Sequence, residues 1–176
     1  MSTPPALTEL LSTLPQVGRL EAIWLRPARR SVPRSVSAVE VKVGEGLVGD
    51  RYRGRSPSGK RQVTVIQAEH VPVIGALSGN PGLSAATLRR NLLVAGIPVA
   101  ALKGRRFRIG SEVVLEWTEV CDPCSRMEQA LGAGGYNAMR GMGGVCARVL
   151  APGEIRVGDT VVALPIDADD LAAFDG

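Results

Sequence analysis

The first apolar pattern in the chain has the spacing of a helix. Within residues 6–14, leucines stand at positions 7, 10, 11 and 14, and Pro15 follows at once. Leucines at this spacing share one face of a helix, and a proline cannot continue one. The pattern therefore predicts a short amphipathic helix that packs on the outside of the domain.

From Gly18 onward, apolar positions alternate with polar ones, which is the period of a β-strand. Leu20, Ala22 and Trp24 fall on one face of a first strand, and valines at 39, 41 and 43 mark another. Turns rich in glycine and proline separate these runs. Further strands are predicted at residues 62–68, 92–95, 106–109, 113–120, 145–150 and 160–164.

Helical signals between the strands are few and short. Residues 69–77 suggest a weak helix or turn, residues 84–90 one or two helical turns with Ser84 available as N-cap, and residues 125–131 a short helix ended by Gly132. Seven or eight short strands, roughly 8 to 15 residues apart, favour a barrel or sandwich over a parallel α/β sheet. We expect a mainly β fold, a β-barrel with a few short helices.

The length of the chain suits one domain with two terminal extensions. A chain of 176 residues can bury one sizeable core. We expect an N-terminal helical extension at 1–16, a β-barrel domain at 17–164 and an acidic flexible tail at 165–176. Aromatic residues make up only 3% of the chain, so Val, Leu, Ile and Ala must build the core, which favours strands.

Two further absences in the sequence bear on location. No apolar stretch approaches the ~20 residues of a membrane-spanning helix. The first residues lack the basic start and apolar run of a secretory signal. We therefore expect a cytoplasmic protein with free thiols and no membrane partner.

The net charge of +4 comes from arginines that cluster at 26–34, 51–61, 89–90 and 105–108. Guanidinium groups suit two-point contact with phosphate or carboxylate, although a solvated surface explains the clusters equally well. The basic loops lack interleaved aromatic side chains and show no groove-reading motif. We therefore expect no nucleic acid partner.

Cysteine is the residue type best placed to carry chemistry. His70 is the only histidine, which excludes a two- or three-histidine zinc site and leaves a Ser-His-Asp relay dependent on His70 alone. Cys121 and Cys124 flank a two-residue turn directly before the predicted helix at 125–131. Backbone amides at a helix start, with Arg126 beside them, favour a Cys124 thiolate that can attack sulfur, carry a persulfide or ligate a soft metal.

Other interpretations of the cysteines remain open. Either thiol of the Cys-Asp-Pro-Cys turn can be a buried, inert side chain. A structural zinc would need a ligand set of Cys121, Cys124, Cys146 and His70, of which only one pair has ligand spacing. A thiol-disulfide redox pair of Cys121 and Cys124 would lack the usual βαβ context. Cys146 falls in a predicted strand and is expected in the core.

Five segments together carry a family resemblance over nearly the whole chain. They are GLVGDR at 46–51, RQVTVI at 61–66, LRRNLLVAGIPVAALKGRRFRIG at 88–110, CDPCSRMEQALG at 121–132 and GGVCARVLAPGEIRVGD at 143–159. In order and spacing, the chain resembles the MOSC domain, named for the C-terminal domain of molybdenum cofactor sulfurases, and is most similar to its stand-alone bacterial members.

The resemblance implies a barrel-like β fold and a role for Cys124, the Pro-Cys position of the family. That thiol would either ligate molybdenum in a pterin cofactor, supporting reduction of N-hydroxylated compounds, or carry sulfur as a persulfide. Cys121 departs from the pattern, because many relatives have only the Pro-Cys thiol. A second thiol suggests disulfide protection or resolution of a persulfide.

The resemblance also implies cofactor-binding residues and partners. Arg89, Arg90 and Asn91 match the family's Arg-Asn segment near the molybdopterin pocket, and Arg61 and Arg148 are weaker candidates of the same type; all five suit an anionic pterin phosphate. A cysteine desulfurase or a reductase is the implied partner, and pyridoxal phosphate would enter only through such a partner enzyme. A non-catalytic barrel that binds an anion or a partner protein is the alternative of another class.

Overall fold

The structure of the protein, a computed structural model, describes residues 6–52 and 58–166. The helices are α1 (Leu7–Ser12), α2 (His70–Leu77), α3 (Ser125–Leu131) and α4 (Gly135–Met139), and two 3-10 turns span Ala85–Leu88 and Val99–Leu102. The strands are β1 (Val17–Leu25), β2 (Arg34–Val36), β3 (Ala38–Lys42), β4 (Gly46–Leu47), β5 (Val63–Gln67), β6 (Leu92–Ala95), β7 (Arg106–Ile109), β8 (Val113–Val120), β9 (Val145–Ala151), β10 (Gly153–Arg156) and β11 (Thr160–Ala163).

Seven strands close into a barrel in the order β11-β7-β8-β9-β5-β6-β1, and β1 pairs back onto β11. The pairing at the seam sets Val17 opposite Val162 and Arg19 opposite Thr160. Neighbouring strands run antiparallel except β5 and β6, which run parallel. β2 adds to the far end of β1, and β10, β3 and β4 form a separate three-stranded sheet.

The alternation along the strands divides the side chains between two apolar clusters. Val63, Val65 and Val145 belong to the main cluster inside the barrel. On the outer face of β5, Ile66 packs in a second cluster with side chains of α2, α3 and α4. Met127 anchors α3 in that second cluster, which fixes the helix that follows Cys124 against the barrel wall.

The predicted mainly β barrel is confirmed, and so are the predicted strands on its wall and the short helix at 125–131. The sequence missed β4, β10 and α4, which are two, four and five residues long, because glycines and prolines around them suggested turns. Ser84 precedes the first 3-10 turn, but its side chain makes no capping hydrogen bond.

The two extensions predicted at the ends of the chain are only partly covered. The first predicted helix is shorter than expected and spans Leu7–Ser12, and Leu7, Leu10 and Leu11 stay exposed. Arg105 ties its end down by donating to the Ser12 carbonyl oxygen at 3.1 Å. Most of the acidic tail predicted at 165–176 lies outside the described residues. None of the described helices is long and apolar enough to cross a membrane.

Candidate functional site

A buried arginine fixes the Cys-Asp-Pro-Cys turn. β8 ends at Val120, and the amide of Cys121 donates to the Gly144 carbonyl oxygen at 2.9 Å. The Arg90 side chain, in a residue only 7% exposed, donates to the carbonyl oxygens of Gly143 at 2.7 Å, Leu88 at 3.0 Å and Cys121 at 3.0 Å. Its donors therefore tie the first residue of the turn to the backbone of Gly143 and Leu88.

Asn91, directly before β6, links β5 and β1 through side-chain hydrogen bonds. It is 1% exposed, and its side-chain oxygen accepts hydrogen bonds from the Thr64 amide at 3.1 Å and the Thr64 hydroxyl at 2.9 Å. Arg26 donates to the same oxygen at 3.1 Å and forms an ion pair with buried Asp50 at 3.2 Å. Arg26 also donates to the Arg89 carbonyl oxygen at 3.0 Å, so this network holds the backbone that carries Arg89.

Arg89 adopts a conformation that is uncommon outside glycine. Its φ is +57°, in the left-handed region, and Arg30 has a φ of +66°. One guanidinium nitrogen of Arg89 donates to the Ser31 carbonyl oxygen at 3.0 Å. Left-handed backbone at a bulky residue costs about 1–3 kcal/mol and is found most often at functional sites. Both arginines turn out to line the same depression.

That depression, which we term the arginine basin, is lined by Arg30, Arg89, Ser125, Arg126 and Gln129 and has a volume of about 560 Å³. Among the described residues it has three guanidinium groups on its walls and no carboxylate. Partial burial lowers the pKa of Arg89, and the charges of Arg126, Arg26 and Arg51 lower it further. An anion in the basin would relieve this crowding of positive charge.

Cys124 lies at the edge of the arginine basin. It is the exposed residue that precedes α3, and its carbonyl oxygen accepts a hydrogen bond from the Met127 amide at 2.7 Å. The two residues that follow it, Ser125 and Arg126, line the basin. A negative charge on Cys124 would act against the neighbouring arginines and raise the pKa of Arg89. The sequence prediction of a thiol at the start of a helix is confirmed.

The other two cysteines contact each other. Glu119 of β8 lies opposite Cys146 of β9. Cys121 comes two residues after Glu119, so its side chain is on the same face of the sheet as Cys146. A hydrogen bond with the Cys146 thiol lowers the pKa of Cys121 to about 6 although burial acts in the opposite direction, and the charges of Arg90 and Arg61 lower it further. The same hydrogen bond, together with burial, raises the pKa of Cys146 above its ordinary value.

This pair should make stability depend on pH. Between about pH 6 and 9, Cys121 is a thiolate when folded and a thiol when unfolded, so the unfolded chain binds more protons and stability rises with pH. The contribution is lost as pH falls through 6. Cys146 acts oppositely only above about pH 9, where its unfolded thiol ionises first. Denaturant unfolding at pH 6 and 8.5 should show this rise in the native protein and a smaller one in Cys121→Ser.

A direct titration separates the two thiols. In a Cys124→Ser background, thiolate absorbance should appear with a midpoint near pH 6. Cys146→Ala removes the donor, so the midpoint should move up towards the ordinary ~8.5 of a cysteine. An unchanged midpoint in Cys146→Ala would show that the hydrogen bond is not the cause.

Arg61 and Arg148 pair with glutamates of β8 and do not line the basin. Arg61 forms an ion pair with Glu119, and Arg148 donates to Glu116 with its Nε at 3.0 Å. Neither is among the residues that line the basin. The contact of Arg61 and Arg148 with a cofactor stays a prediction, and their ion pairs with Glu119 and Glu116 do not favour it.

The Cys3His zinc set is not assembled. Within residues 6–52 and 58–166, no group of three or more His, Cys, Asp or Glu side chains is placed to hold a metal ion. His70 begins α2, in the wall of a different cavity.

Sequence reasoning missed part of the site. In the sequence, Arg30 is one member of a basic cluster and Arg126 a neighbour of the thiol, and nothing there predicts that both line the basin. The Arg26–Asp50 ion pair was missed as well. Asp50 follows the glycines of 44–49, and this acidic residue beside a tight bend was the one available signal.

Comparison with known proteins places this barrel in a family. The sequence profile of the MOSC domain matches residues 40–162, which is more than half of the chain. The chain belongs to the MOSC domain family.

Solved structures with the same fold come from bacteria. YuaD from Bacillus subtilis superposes with a TM-score of 0.76 at 20% identity, covering 88% of this chain and 100% of that one. YiiM from Geobacillus stearothermophilus has a TM-score of 0.66 at 17% identity, covering 84% and 75%, and YiiM from Escherichia coli 0.63 at 17%, covering 89% and 76%. At these identities the likeness establishes the fold. No curated protein sequence matches the chain.

Proposed function

We propose that this protein binds a pterin molybdenum cofactor, with Cys124 as the metal ligand and the arginine basin as the seat of the cofactor's phosphate. The observation that carries the proposal is the exposed Cys124 thiol at the edge of a depression with three guanidinium groups on its walls. The MOSC family is generally associated with this cofactor, and the site supplies its two chemical requirements on one surface.

The donor set fits the group. A cysteine thiolate is a soft ligand suited to a transition metal. The guanidinium groups of Arg30, Arg89 and Arg126 present planar forks that match phosphate oxygens, and Ser125 and Gln129 add a hydroxyl and an amide. When bound, the cofactor supplies two-electron redox chemistry, for which N-hydroxylated compounds are the proposed substrates.

Within this proposal, Arg90 and Asn91 are positioning residues. Arg90 holds the turn that presents Cys124, through the carbonyl oxygens of Cys121 and Gly143. Asn91, through Arg26, holds the backbone of Arg89. Of the Arg-Asn segment, Arg89 is the residue whose side chain reaches the basin.

Sulfur transfer is the second candidate, favoured by the exposure of Cys124. Cys121 and Cys146 hydrogen-bond to each other, whereas Cys124 is open to a partner enzyme. The Cys124 thiolate would attack the outer sulfur of a persulfide on a cysteine desulfurase. The sulfur–sulfur bond of the donor breaks, Cys124 becomes a persulfide, and the desulfurase regains its thiolate. Pyridoxal phosphate would belong to the desulfurase.

Elemental analysis tests the first candidate. The full chain should be produced in a bacterial host that makes the cofactor, and molybdenum measured by mass spectrometry. We expect close to one equivalent in the native protein and loss of the metal in Cys124→Ser. Cys146→Ala, which removes a thiol without touching the basin, should keep it. Arg89→Gln and Arg126→Gln should lower the molybdenum content at least about tenfold, because each removes a charge-assisted contact to phosphate.

The other outcomes decide between the alternatives. Metal absent from the native protein, with cyanide-releasable sulfur on Cys124 after incubation with a desulfurase and cysteine, would favour the carrier. Metal retained in Cys124→Ser would refute ligation by this thiol. Neither metal nor sulfur on the native protein would leave two alternatives, a thiol-disulfide redox protein that uses Cys121 and Cys124 and a non-catalytic barrel.

A further inference from the structure

Two of the three cysteines face each other outside the arginine basin. Cys146 lies in β9 and is 0% exposed, and Cys121, directly after β8, is partly exposed. The register of β8 on β9 sets Glu119 opposite Cys146, so the two cysteines are diagonal neighbours on one face of the sheet. Neither of them lines the basin. The pair is therefore a sulfur site distinct from the Cys124 thiol.

An irregularity in β8 creates this pair. Up to Trp117 the two strands follow one register, and from Glu119 onward they are shifted by one residue. In the unshifted register, Thr118 would lie opposite Cys146, and Cys121 would point to the other face of the sheet. Shifts of this kind commonly re-aim a side chain next to a functional site. The break in the β8–β9 ladder is thus what brings the two thiols together.

The contact between the two sulfurs is a hydrogen bond with a defined direction. It lowers the pKa of Cys121 to about 6 and raises the pKa of Cys146, so at pH 7 the Cys146 thiol donates to the Cys121 thiolate. The charges of Arg90 and Arg61 favour the same thiolate. A thiolate is the form that peroxides oxidise, and a neighbouring thiol is what a sulfenic acid condenses with to give a disulfide. The pair supplies both forms side by side.

Burial gives the two cysteines different parts. Cys146 is closed to solvent, so an external oxidant enters at Cys121, the partly exposed member. The hydrogen bond already brings the two sulfurs into contact, and a disulfide of ~2.05 Å needs only a further approach of the side chains. Cys146 can therefore reach an oxidised Cys121 without help from a partner molecule.

We propose that Cys121 and Cys146 form an oxidation site, at which hydrogen peroxide converts the two thiols into an intramolecular disulfide. The Cys121 thiolate attacks one peroxide oxygen, the oxygen–oxygen bond breaks, and hydroxide leaves as Cys121 becomes a sulfenic acid. The Cys146 sulfur then attacks the Cys121 sulfur, the sulfur–oxygen bond breaks, and the hydroxyl departs as water with the Cys146 proton. The two thiols lose two electrons, and the peroxide ends as two waters once the hydroxide takes up a proton.

The disulfide closes a loop around the Cys124 thiol. The segment between Cys121 and Cys146 contains Cys124, α3 and α4. Formation of the disulfide stops Cys121 at a reversible step of oxidation, short of the sulfinic acid, and leaves Cys124 as a thiol. A dithiol reductant restores the pair by exchange at the Cys121 sulfur.

Peptide mapping of the full chain after treatment with hydrogen peroxide at pH 7 tests the site. Free thiols are alkylated in denaturant before digestion. Trypsin releases Cys146 on a peptide of its own, and additional cleavage before Asp122 separates the two cysteines of the turn. We expect a link, broken by dithiothreitol, between the peptides of Cys121 and Cys146, and recovery of Cys124 in alkylated form.

Variants define the part of each thiol. Cys121→Ser should abolish the link and leave Cys146 alkylated, because oxidation then has no point of entry. In Cys146→Ala the sulfenic acid has no partner, so labelling of Cys121 by dimedone, a reagent for sulfenic acids, should appear. In Cys124→Ser the link should still form, which separates this site from a disulfide within the Cys-Asp-Pro-Cys turn.

The native chain alone can contradict the proposal, whatever the variants do. Recovery of both Cys121 and Cys146 as alkylated thiols after excess peroxide would refute it. A link from Cys121 to Cys124 would refute it as well, and so would a Cys121 sulfinic acid beside an alkylated Cys146. The site does not need molybdenum on Cys124, so its failure leaves the proposed function unaffected.

Discussion

Replacing Arg90 by methionine should lower the free energy of unfolding by about 3–5 kcal/mol, because several buried carbonyl oxygens lose their donor at about 1–3 kcal/mol each. Arg90 is nearly fully buried and donates to the backbone carbonyl oxygens of Cys121, Gly143 and Leu88. Methionine fills part of the space but leaves those oxygens without donors, which adds a desolvation penalty. Denaturant unfolding monitored by tryptophan fluorescence measures the effect.

A matched variant controls for the loss of an arginine as such. Arg61→Met also removes an arginine near the turn, but Arg61 is exposed and makes a surface ion pair with Glu119. It should cost no more than about 1 kcal/mol. Arg90→Met should also raise the pKa of Cys121, because the Arg90 charge helps to lower it. Equal effects of the two variants on stability would show that the buried contacts of Arg90 are not what stabilises the turn.

Gly144→Ala should be nearly as damaging, at about 4 kcal/mol from steric overlap and backbone strain together. Gly144 has a φ of +87°, and a Cβ on it would lie 2.0 Å from the Val65 carbonyl oxygen. That oxygen belongs to β5, and Gly144 directly precedes β9. Both strands are part of the barrel wall and pair with each other, so moving them apart would break hydrogen bonds. Loss of the close approach also disturbs the Gly144 carbonyl that accepts from the Cys121 amide.

Gly134→Ala separates the two causes of this effect. Gly134 has nearly the same φ, +85°, but a Cβ there would meet nothing within 4 Å. It should therefore show only the cost of a left-handed backbone, about 1–2 kcal/mol. The unfolding free energies of both variants, measured side by side, give the steric part by difference. If the two variants lose the same free energy of unfolding, the close approach to the Val65 carbonyl oxygen does not cause the damage in Gly144→Ala.

The barrel could be predicted because its signal is local. Alternation at Val39 and Val41 is imposed by the strand on its own residues. The predicted common face of Leu20, Ala22 and Trp24 is wrong, because a register shift after Leu20 turns β1 so that Ile23 and Leu25 are buried instead. The position of Cys124 could be predicted from a local signal too, since the turn and the helix after it lie next to one another in sequence. The fold class and the start of α3 needed no knowledge of how distant segments meet.

The partners of the polar side chains could not be predicted, because they depend on register. The pairing of β8 with β9 shifts between Trp117 and Glu119. This shift pairs Glu119 with Cys146, so that Cys121 reaches Cys146 instead of serving only the Cys-Asp-Pro-Cys turn. An earlier shift, between Val114 and Leu115, sets Arg148 opposite Glu116. Similarly, the sequence shows that Arg89 and Arg90 are adjacent. The sequence does not show that the backbone at Arg89 is left-handed, that Arg89 lines the basin, or that Arg90 is buried.

The seam of the barrel, where β1 pairs with β11, makes the domain suitable for circular permutation and for insertion into another protein. Because Val17 lies opposite Val162, the chain starts and finishes the barrel at neighbouring points about 5 Å apart. A short linker could join these points and new termini could be opened in a surface turn without stretching any strand. The same geometry lets the barrel be inserted into a host protein, with both connections leaving from one spot.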